Sequence, residues 1–137
     1  MARQRLLILT MYVEVEAQVW VIRDYLPETV QAHCQGFPAI SWFARRLPRV
    51  TVQAIAVPRE CRDGFMVAFW GRPEAYLDAR IRTATSTWHQ VPPEAATRAL
   101  AQLQDDLASG EWDRRYGRLR EQSELDVGLR LVSSDLG

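Results

Sequence analysis

The first apolar segment of the chain places the strongest constraint on its fold. Leu6 to Leu9 are four consecutive aliphatic residues inside the stretch from Arg5 to Thr10, with no polar alternation. An uninterrupted run of this kind is typical of a strand covered on both faces, as in the parallel sheet of an α/β protein. A covered strand needs neighbours on both sides, and only Met1 to Gln4 precede this one. We therefore expect the chain to be the second part of a larger domain.

Composition and charge exclude several classes of function. The 17 basic residues balance 17 acidic ones, so the net charge attracts the chain neither to nucleic acid nor to an anionic membrane. The apolar run after Arg5 is too short for a secretory signal, and no segment approaches the length of a membrane span. Cys34 and Cys61 lack a CxxC spacing, which predicts free thiols in a reducing compartment. We expect a cytoplasmic protein with no nucleic-acid or membrane partner.

The spacing of apolar residues predicts three strands separated by helices. The predicted strands are residues 5–10, 49–57 and 125–132, and the predicted helices are residues 15–26, 27–34, 38–47, 63–70, 72–76, 78–81, 92–109 and 111–120. Three strands are too few for a stable sheet, since even a small sheet usually has about four to six. The low strand count therefore predicts a fragment or a chain that needs a partner.

Two elements near the end of the chain have well-defined apolar faces. Helix 92–109 is expected to bury one face and to end at Gly110, where a positive φ is favoured. Residues 133–137 are expected to be a frayed end. The predicted buried faces consist of Ala96, Leu100, Leu103 and Leu107 in the helix, and of Leu125, Val127, Leu129 and Leu131 in the last strand.

The sequence carries none of the common signatures of catalysis. No two glycines form a GxG pattern, which excludes a dinucleotide fingerprint, a phosphate loop and a nucleophile elbow. His33 and His89 are isolated, no set of donors has metal-ligand spacing, and His33 is interpreted as an ordinary helix residue. Asp105 and Asp106 are expected on a solvated helix end, about 100° apart, where they cannot act as an acid–base pair. Neither a catalytic nor a metal-binding residue is assigned.

Aromatic and charged residues gather after the first two predicted strands, where the ligands of open α/β sheets bind. Trp20 and Tyr25 follow the first strand, and Asp63, Phe65 and Trp70 follow the second. These five residues are the candidate substrate-binding residues. The aromatic ones can equally be large core residues that cover the sheet, and Asp63 can equally be a helix N-cap.

Most of the chain resembles a known family. The stretch from Arg5 to Thr10 is similar to the fifth strand of class I S-adenosylmethionine-dependent methyltransferases. The segments 49–57 and 124–132 resemble the sixth strand and the seventh, antiparallel strand. Bacterial small-molecule members of the family carry an insertion after the fifth strand, and several segments of this chain resemble it. These segments are residues 20–28, 37–38, 57–58, 61–65, 69–70 and 72–78.

The resemblance implies strands five to seven of a seven-stranded, Rossmann-like methyltransferase sheet with helical insertions, in a single partial domain over residues 1–137. The cofactor motifs of the family lie before the fifth strand and have no counterpart here, so no cofactor-binding residue is assigned and the chain alone is not expected to bind S-adenosylmethionine. The chain would then supply the wall for a small-molecule acceptor. On that basis Tyr25 or Asp63 would orient an acceptor hydroxyl or amine, and Trp20, Phe65 and Trp70 would shape the pocket.

Three functions remain open at this point. The first is the acceptor-side portion of a methyltransferase that is inactive by itself. The second is a non-enzymatic interaction module that pairs its first strand, Arg5 to Thr10, with a second copy or a complementing chain, since an open apolar edge favours association. The third, a self-sufficient small α/β enzyme, is disfavoured because no nucleophile, metal set or phosphate loop is visible. In the first two cases we expect residues 125–132 to lie between the other strands, with the far edge of the first strand open.

Overall fold

A computed structural model describes residues 3–137 of the chain, which form a mixed α/β fold with a small sheet and many helices. The strands are β1 (Arg5–Met11), β2 (Val50–Ala54), β3 (Val57–Pro58), β4 (Glu124–Leu125) and β5 (Leu129–Asp135). The α-helices are α1 (Val13–Glu16), α2 (Thr29–Gly36), α3 (Ile40–Arg46), α4 (Ala79–Ala84), α5 (Pro93–Ser109) and α6 (Glu111–Tyr116). A π-helical turn covers Val21–Tyr25, and 3₁₀ turns cover Pro73–Leu77, Ser86–His89 and Gly117–Arg120. No helix in this described range is both long and apolar enough to cross a membrane.

The main sheet has the strand order β1-β5-β2. The last strand, β5, pairs antiparallel with both neighbours, so that Val132 lies opposite Ile8 on one side and Val52 on the other. As a consequence β1 and β2 run parallel to each other and end at the same edge of the sheet. This is the arrangement expected from the family resemblance, with the late strand inserted between the other two. Within residues 3–137, no strand pairs with the far edge of β1.

The prediction that β1 is covered on both faces is wrong for this chain by itself. Leu7 and Leu9 are 59% and 64% exposed, whereas Leu6 and Ile8, which point to the other face, are half-buried. The aliphatic run therefore leaves an apolar surface in contact with solvent. Exposed apolar surface next to an open strand edge is typical of a surface that another polypeptide segment covers.

One predicted helix is interrupted and another is replaced by turns. The expected helix 15–26 breaks after α1 and resumes as the π-helical turn Val21–Tyr25, and residues 66–70 form consecutive turns closed by bonds such as Ala68 N–H to Phe65 O. The four residues from Val19 to Ile22 and the five from Met66 to Trp70 are all buried, so every side of each segment packs into the core. A regular α-helix with one apolar face does not bury consecutive residues in this way.

The helix α5 forms as predicted, but its buried face is rotated by about one residue. Ala95, Ala99 and Leu103 are buried together with Asp106, which was expected to be solvated. The rotation brings the Asp106 carboxylate inward, where the Tyr25 hydroxyl donates a hydrogen bond to it over 2.5 Å. The predicted end at Gly110 is confirmed by a left-handed φ of +82°.

The last predicted strand is displaced along the chain. Gly128, with a φ of +99°, separates the short β4 from β5. The strand then runs to Asp135, so residues 133 to 135, which were expected to fray, belong to the sheet. Ser134 is buried and donates a hydrogen bond from its hydroxyl to Pro48 O over 2.6 Å. The predicted strand 49–57 is divided in the same manner between β2 and β3.

We expect Gly128→Ala to destabilise the protein more than Gly110→Ala. Both residues have a positive φ, which costs about 1–2 kcal/mol for a residue with a Cβ atom. At Gly128, however, that Cβ would lie 2.7 Å from Tyr12 O and 2.9 Å from Glu16 N, whereas at Gly110 it would meet nothing within 4 Å. Urea unfolding of the three proteins measures the difference.

The matched control is Gly36→Ala, at the end of α2, where an added Cβ also meets nothing within 4 Å and φ is not positive. This variant should be as stable as the wild type or about 0.5–1 kcal/mol more stable, because alanine favours helix. Equal losses for Gly128→Ala and Gly110→Ala would show that the backbone does not approach Gly128 closely.

Candidate functional site

Two adjoining cavities meet at the carboxyl end of β1, and the smaller one also reaches the carboxyl end of β2. The larger has a volume of about 870 Å³ and the smaller about 410 Å³. Met11, the last residue of β1, lines both cavities, as do Phe37 and Phe65. The carboxyl ends of parallel strands are the usual place for ligands in open α/β sheets. The two cavities together are therefore the candidate functional site.

Three buried polar residues form a hydrogen-bonded chain in the wall of the larger cavity. His33 Nδ1 lies 2.7 Å from Glu16 Oε2, and His33 Nε2 lies 2.9 Å from Thr87 Oγ1. The exposed fractions are 1% for Glu16, 6% for His33 and 5% for Thr87. Both ring nitrogens of His33 are bonded, so the orientation of the ring is fixed. We call these three residues the Glu16 triad.

The Glu16 carboxylate has one oxygen without a partner. Its Oε1 atom is buried and has no hydrogen-bond partner among residues 3–137. An unsatisfied buried acceptor costs about 1–3 kcal/mol, so proteins rarely leave one without a reason. A donor group in the adjacent cavity would satisfy it. The same part of the chain contains no group of three His, Cys, Asp or Glu residues that could hold a metal ion.

Two of the five candidate residues from the sequence lie at this site. Asp63 is exposed and lines the smaller cavity, and Phe65 is half-buried and lines both cavities. The Cys61 thiol donates to the backbone carbonyl of Asp63 over 3.6 Å. The alternative interpretation of Asp63 as a helix N-cap is wrong, because the segment that follows it is not helical.

Trp20 and Trp70 line neither cavity and lie in the core. The indole N–H of Trp20 donates to Trp70 O over 2.7 Å, and that of Trp70 donates to Val57 O over 3.1 Å. Trp20 also makes edge contacts with Trp112 and Tyr76 at centroid distances of 5.2 and 5.6 Å. The two indoles hold the wall of the smaller cavity in place through Val57, which lines it.

Tyr25 lies at a third, separate cavity of about 270 Å³. Its hydroxyl donates to Asp106, whose other oxygen accepts from Gln102 Nε2 over 2.9 Å. Burial, together with the hydrogen bond to Asp106, raises the pKa of Tyr25 well above its usual range. The structure therefore brings Asp63 and Phe65 together and leaves Tyr25 apart from them.

No pattern in the sequence indicates the Glu16 triad. Glu16 alternates with apolar residues in the same way as Glu14, so the pattern does not distinguish the buried carboxylate from the exposed one. His33 lies 17 residues after Glu16, and Thr87 another 54 residues on. No local motif has these spacings, and only the packing of α1, α2 and the Ser86–His89 turn brings the three together.

Comparison with known proteins found a similar solved structure. The chain matches no family model and no curated protein. It is similar to a crystal structure from Anabaena variabilis named "putative methyltransferase from antibiotic biosynthesis pathway", with a TM-score of 0.85 and 27% sequence identity. The match covers 96% of this chain and 55% of that protein, so the chain spans about half of its length. The likeness supports a methyltransferase-like domain.

Trp20→Phe is expected to destabilise the protein, because it removes a buried donor and leaves Trp70 O without its partner. The expected loss is about 1–3 kcal/mol in the free energy of unfolding. The control is Trp42→Phe, at an indole that is 37% exposed, where the change should stay within about 0.5 kcal/mol. Equal effects would contradict a structural role for Trp20.

Tyr25 is expected to stay protonated at a pH where an ordinary tyrosine ionises. The folded state holds this proton more tightly than the unfolded state, because its pKa is raised. The stability linked to Tyr25 is therefore fully present below about pH 10 and is lost as the pH rises further. Tyr25→Phe should leave the tyrosinate absorbance near pH 10 unchanged. A smaller absorbance change in the variant than in the wild type would contradict the expected shift.

Proposed function

We propose that this chain is the acceptor-side portion of an S-adenosylmethionine-dependent methyltransferase that methylates a small molecule. On this view β1, β2 and β5 correspond to the fifth, sixth and seventh strands of the Rossmann-like sheet. The likeness to the Anabaena protein over 96% of this chain carries the proposal. The order β1-β5-β2, with an antiparallel strand between two parallel ones, supports it.

The open side of β1 is the proposed docking surface for the cofactor-binding portion. The far edge of β1 has no strand partner within residues 3–137, and Leu7 and Leu9 expose an apolar surface beside that edge. A strand added there would satisfy the free backbone groups of residues Arg5 to Thr10, and a covering element would bury the two leucines. By itself the chain lacks the glycine-rich cofactor motif and is not expected to bind S-adenosylmethionine.

In the complete enzyme this chain would act mainly by positioning. The sulfonium group of the bound cofactor supplies the reactivity, and the protein must align the acceptor with the methyl group and exclude water. Asp63 and Phe65 lie where they can contact an acceptor in the cavities. Trp20, Tyr25 and Trp70 would contribute by fixing the walls from inside the core.

A second candidate function uses the same surface. The exposed Leu7 and Leu9 also favour a non-enzymatic module that pairs β1 with β1 of a second copy. The two proposals differ in what covers β1. The methyltransferase proposal requires a cofactor-binding portion there, whereas the interaction module needs only a second identical chain.

Calorimetry separates the two proposals. The chain alone should show no binding of S-adenosylmethionine. A fusion that places it after the portion of the Anabaena protein that it does not match should bind the cofactor. Cofactor binding by the chain alone, or a stable dimer of it that the added portion does not displace, would overturn the methyltransferase arrangement.

Two variants test the docking surface. Leu7→Asp combined with Leu9→Asp should abolish cofactor binding by the fusion, because charges at the interface oppose docking. Leu136→Asp is the matched control at another exposed leucine, 45% exposed and outside the strands, and should leave binding unchanged. If both changes have the same effect, the apolar face of β1 is not the docking surface.

A further inference from the structure

We propose that Glu16 is the proton acceptor for the group that is methylated, and that this group is a neutral hydroxyl. The inference rests on the proposed function and assigns a role to the Glu16 triad. Glu16 Oε1 would accept a hydrogen bond from the acceptor O–H and take its proton as the methyl group is transferred. His33 and Thr87 are positioning residues that hold the carboxylate from its other side.

The hydrogen-bonded chain fixes which atom of Glu16 is free. The proposed role requires an ionised Glu16, which only accepts hydrogen bonds, and in that state His33 Nδ1 carries the proton in its 2.7 Å contact with Glu16 Oε2. The Thr87 hydroxyl, 2.9 Å from His33 Nε2, fixes the ring from behind. Oε1 is the remaining acceptor, it is buried without a partner in the described residues, and Glu16 lines the larger cavity.

The charged groups that line the larger cavity determine which charge an acceptor can carry. The cavity's two charged lining groups are the carboxylates of Glu16 and Glu28, and no Arg is among the described residues that line it. Glu28 is neutralised by an ion pair with Arg98 at 2.7 Å, outside the cavity lining. A carboxylate or phosphate ligand would therefore meet an unpaired negative charge and no cation. The apolar side chains of Phe37 and Phe65 suit the body of a neutral ring or chain.

The chemical step balances without further reagents. The acceptor oxygen forms a bond to the methyl carbon as the bond from that carbon to the sulfonium sulfur breaks, which leaves a neutral thioether. The O–H bond of the acceptor breaks, and its proton goes to Glu16 Oε1, which becomes a carboxylic acid. General-base assistance of this kind contributes typically about 10²–10⁴-fold to a rate.

The test uses this chain alone and two small probes, phenol and anisole. Anisole is phenol with the hydroxyl methylated, so it lacks the donor that Glu16 Oε1 needs. Titrations followed through the backbone amides of Ala32 and Thr87, which line the cavity, should give about tenfold tighter binding of phenol. That ratio corresponds to about 1.4 kcal/mol. Benzoate, which carries a negative charge, should bind more weakly than either probe.

Glu16→Gln should remove this preference. His33 Nδ1–H needs an acceptor, so the new amide would place its carbonyl there and present its NH₂ group to the cavity. The site would then offer a donor in place of an acceptor, and phenol and anisole should bind equally. Glu14→Gln makes the same charge change at an exposed position of the same helix and should keep the wild-type ratio.

The positioning role of His33 has its own signature. The ¹⁵N signal of Nδ1 should shift when phenol binds to the same carboxylate, and anisole should not produce this shift. Equal affinities for the two probes in the wild type, or no binding of either, would overturn the inference even if Glu16→Gln fails to fold. None of these measurements needs the cofactor, so they are independent of the calorimetry that tests the methyltransferase arrangement.

Discussion

Two successive indole hydrogen bonds connect the helical part of the molecule to β3, which pairs with β4 in a separate two-stranded sheet. Trp20 donates to the backbone of residue 70, and Trp70 donates to Val57 at the start of β3. Both donors are buried, so neither bond can be replaced by water. The turns that carry Phe65 depend on this connection, because residues 66–70 have no helix to hold them. The cavity wall is therefore a consequence of core packing.

The Glu16 triad depends on a second close contact, between backbones. Gly128 approaches Tyr12 and Glu16 so closely that a side chain there would collide with both. The Tyr12 N–H also donates to Gly128 O over 2.7 Å. This contact fixes where α1 leaves β1 and so places the Glu16 carboxylate opposite His33. The position of the only buried carboxylate oxygen without a partner in residues 3–137 is thus set by a glycine more than a hundred residues away in sequence.

The β1 strand connects the fold to the proposed function. One side of it is paired with β5 and its end contributes Met11 to both cavities, while the other edge and the Leu7–Leu9 face are open. A complementing portion docked there would lie next to the cavities, which is where a cofactor must be for methyl transfer to an acceptor bound in them. The β1 strand would then hold the complementing portion in place and also help to position the acceptor.

Local patterns in the sequence determined the elements that need only local interactions. The apolar run at Leu6–Leu9 predicted β1, and the proline and glycine signals bounded α5. The position of the last strand between the other two was expected from the family resemblance. Tertiary structure decided the local conformation wherever consecutive residues are buried or polar partners are distant in the sequence. It replaced the expected helix 63–70 with turns over residues 66–70, brought Asp106 inward to Tyr25, and joined Glu16 to His33 and Thr87. A periodic apolar pattern indicates which single face of an element is buried. A hydrogen bond between residues far apart in the chain produces no such pattern, so the pattern cannot predict it.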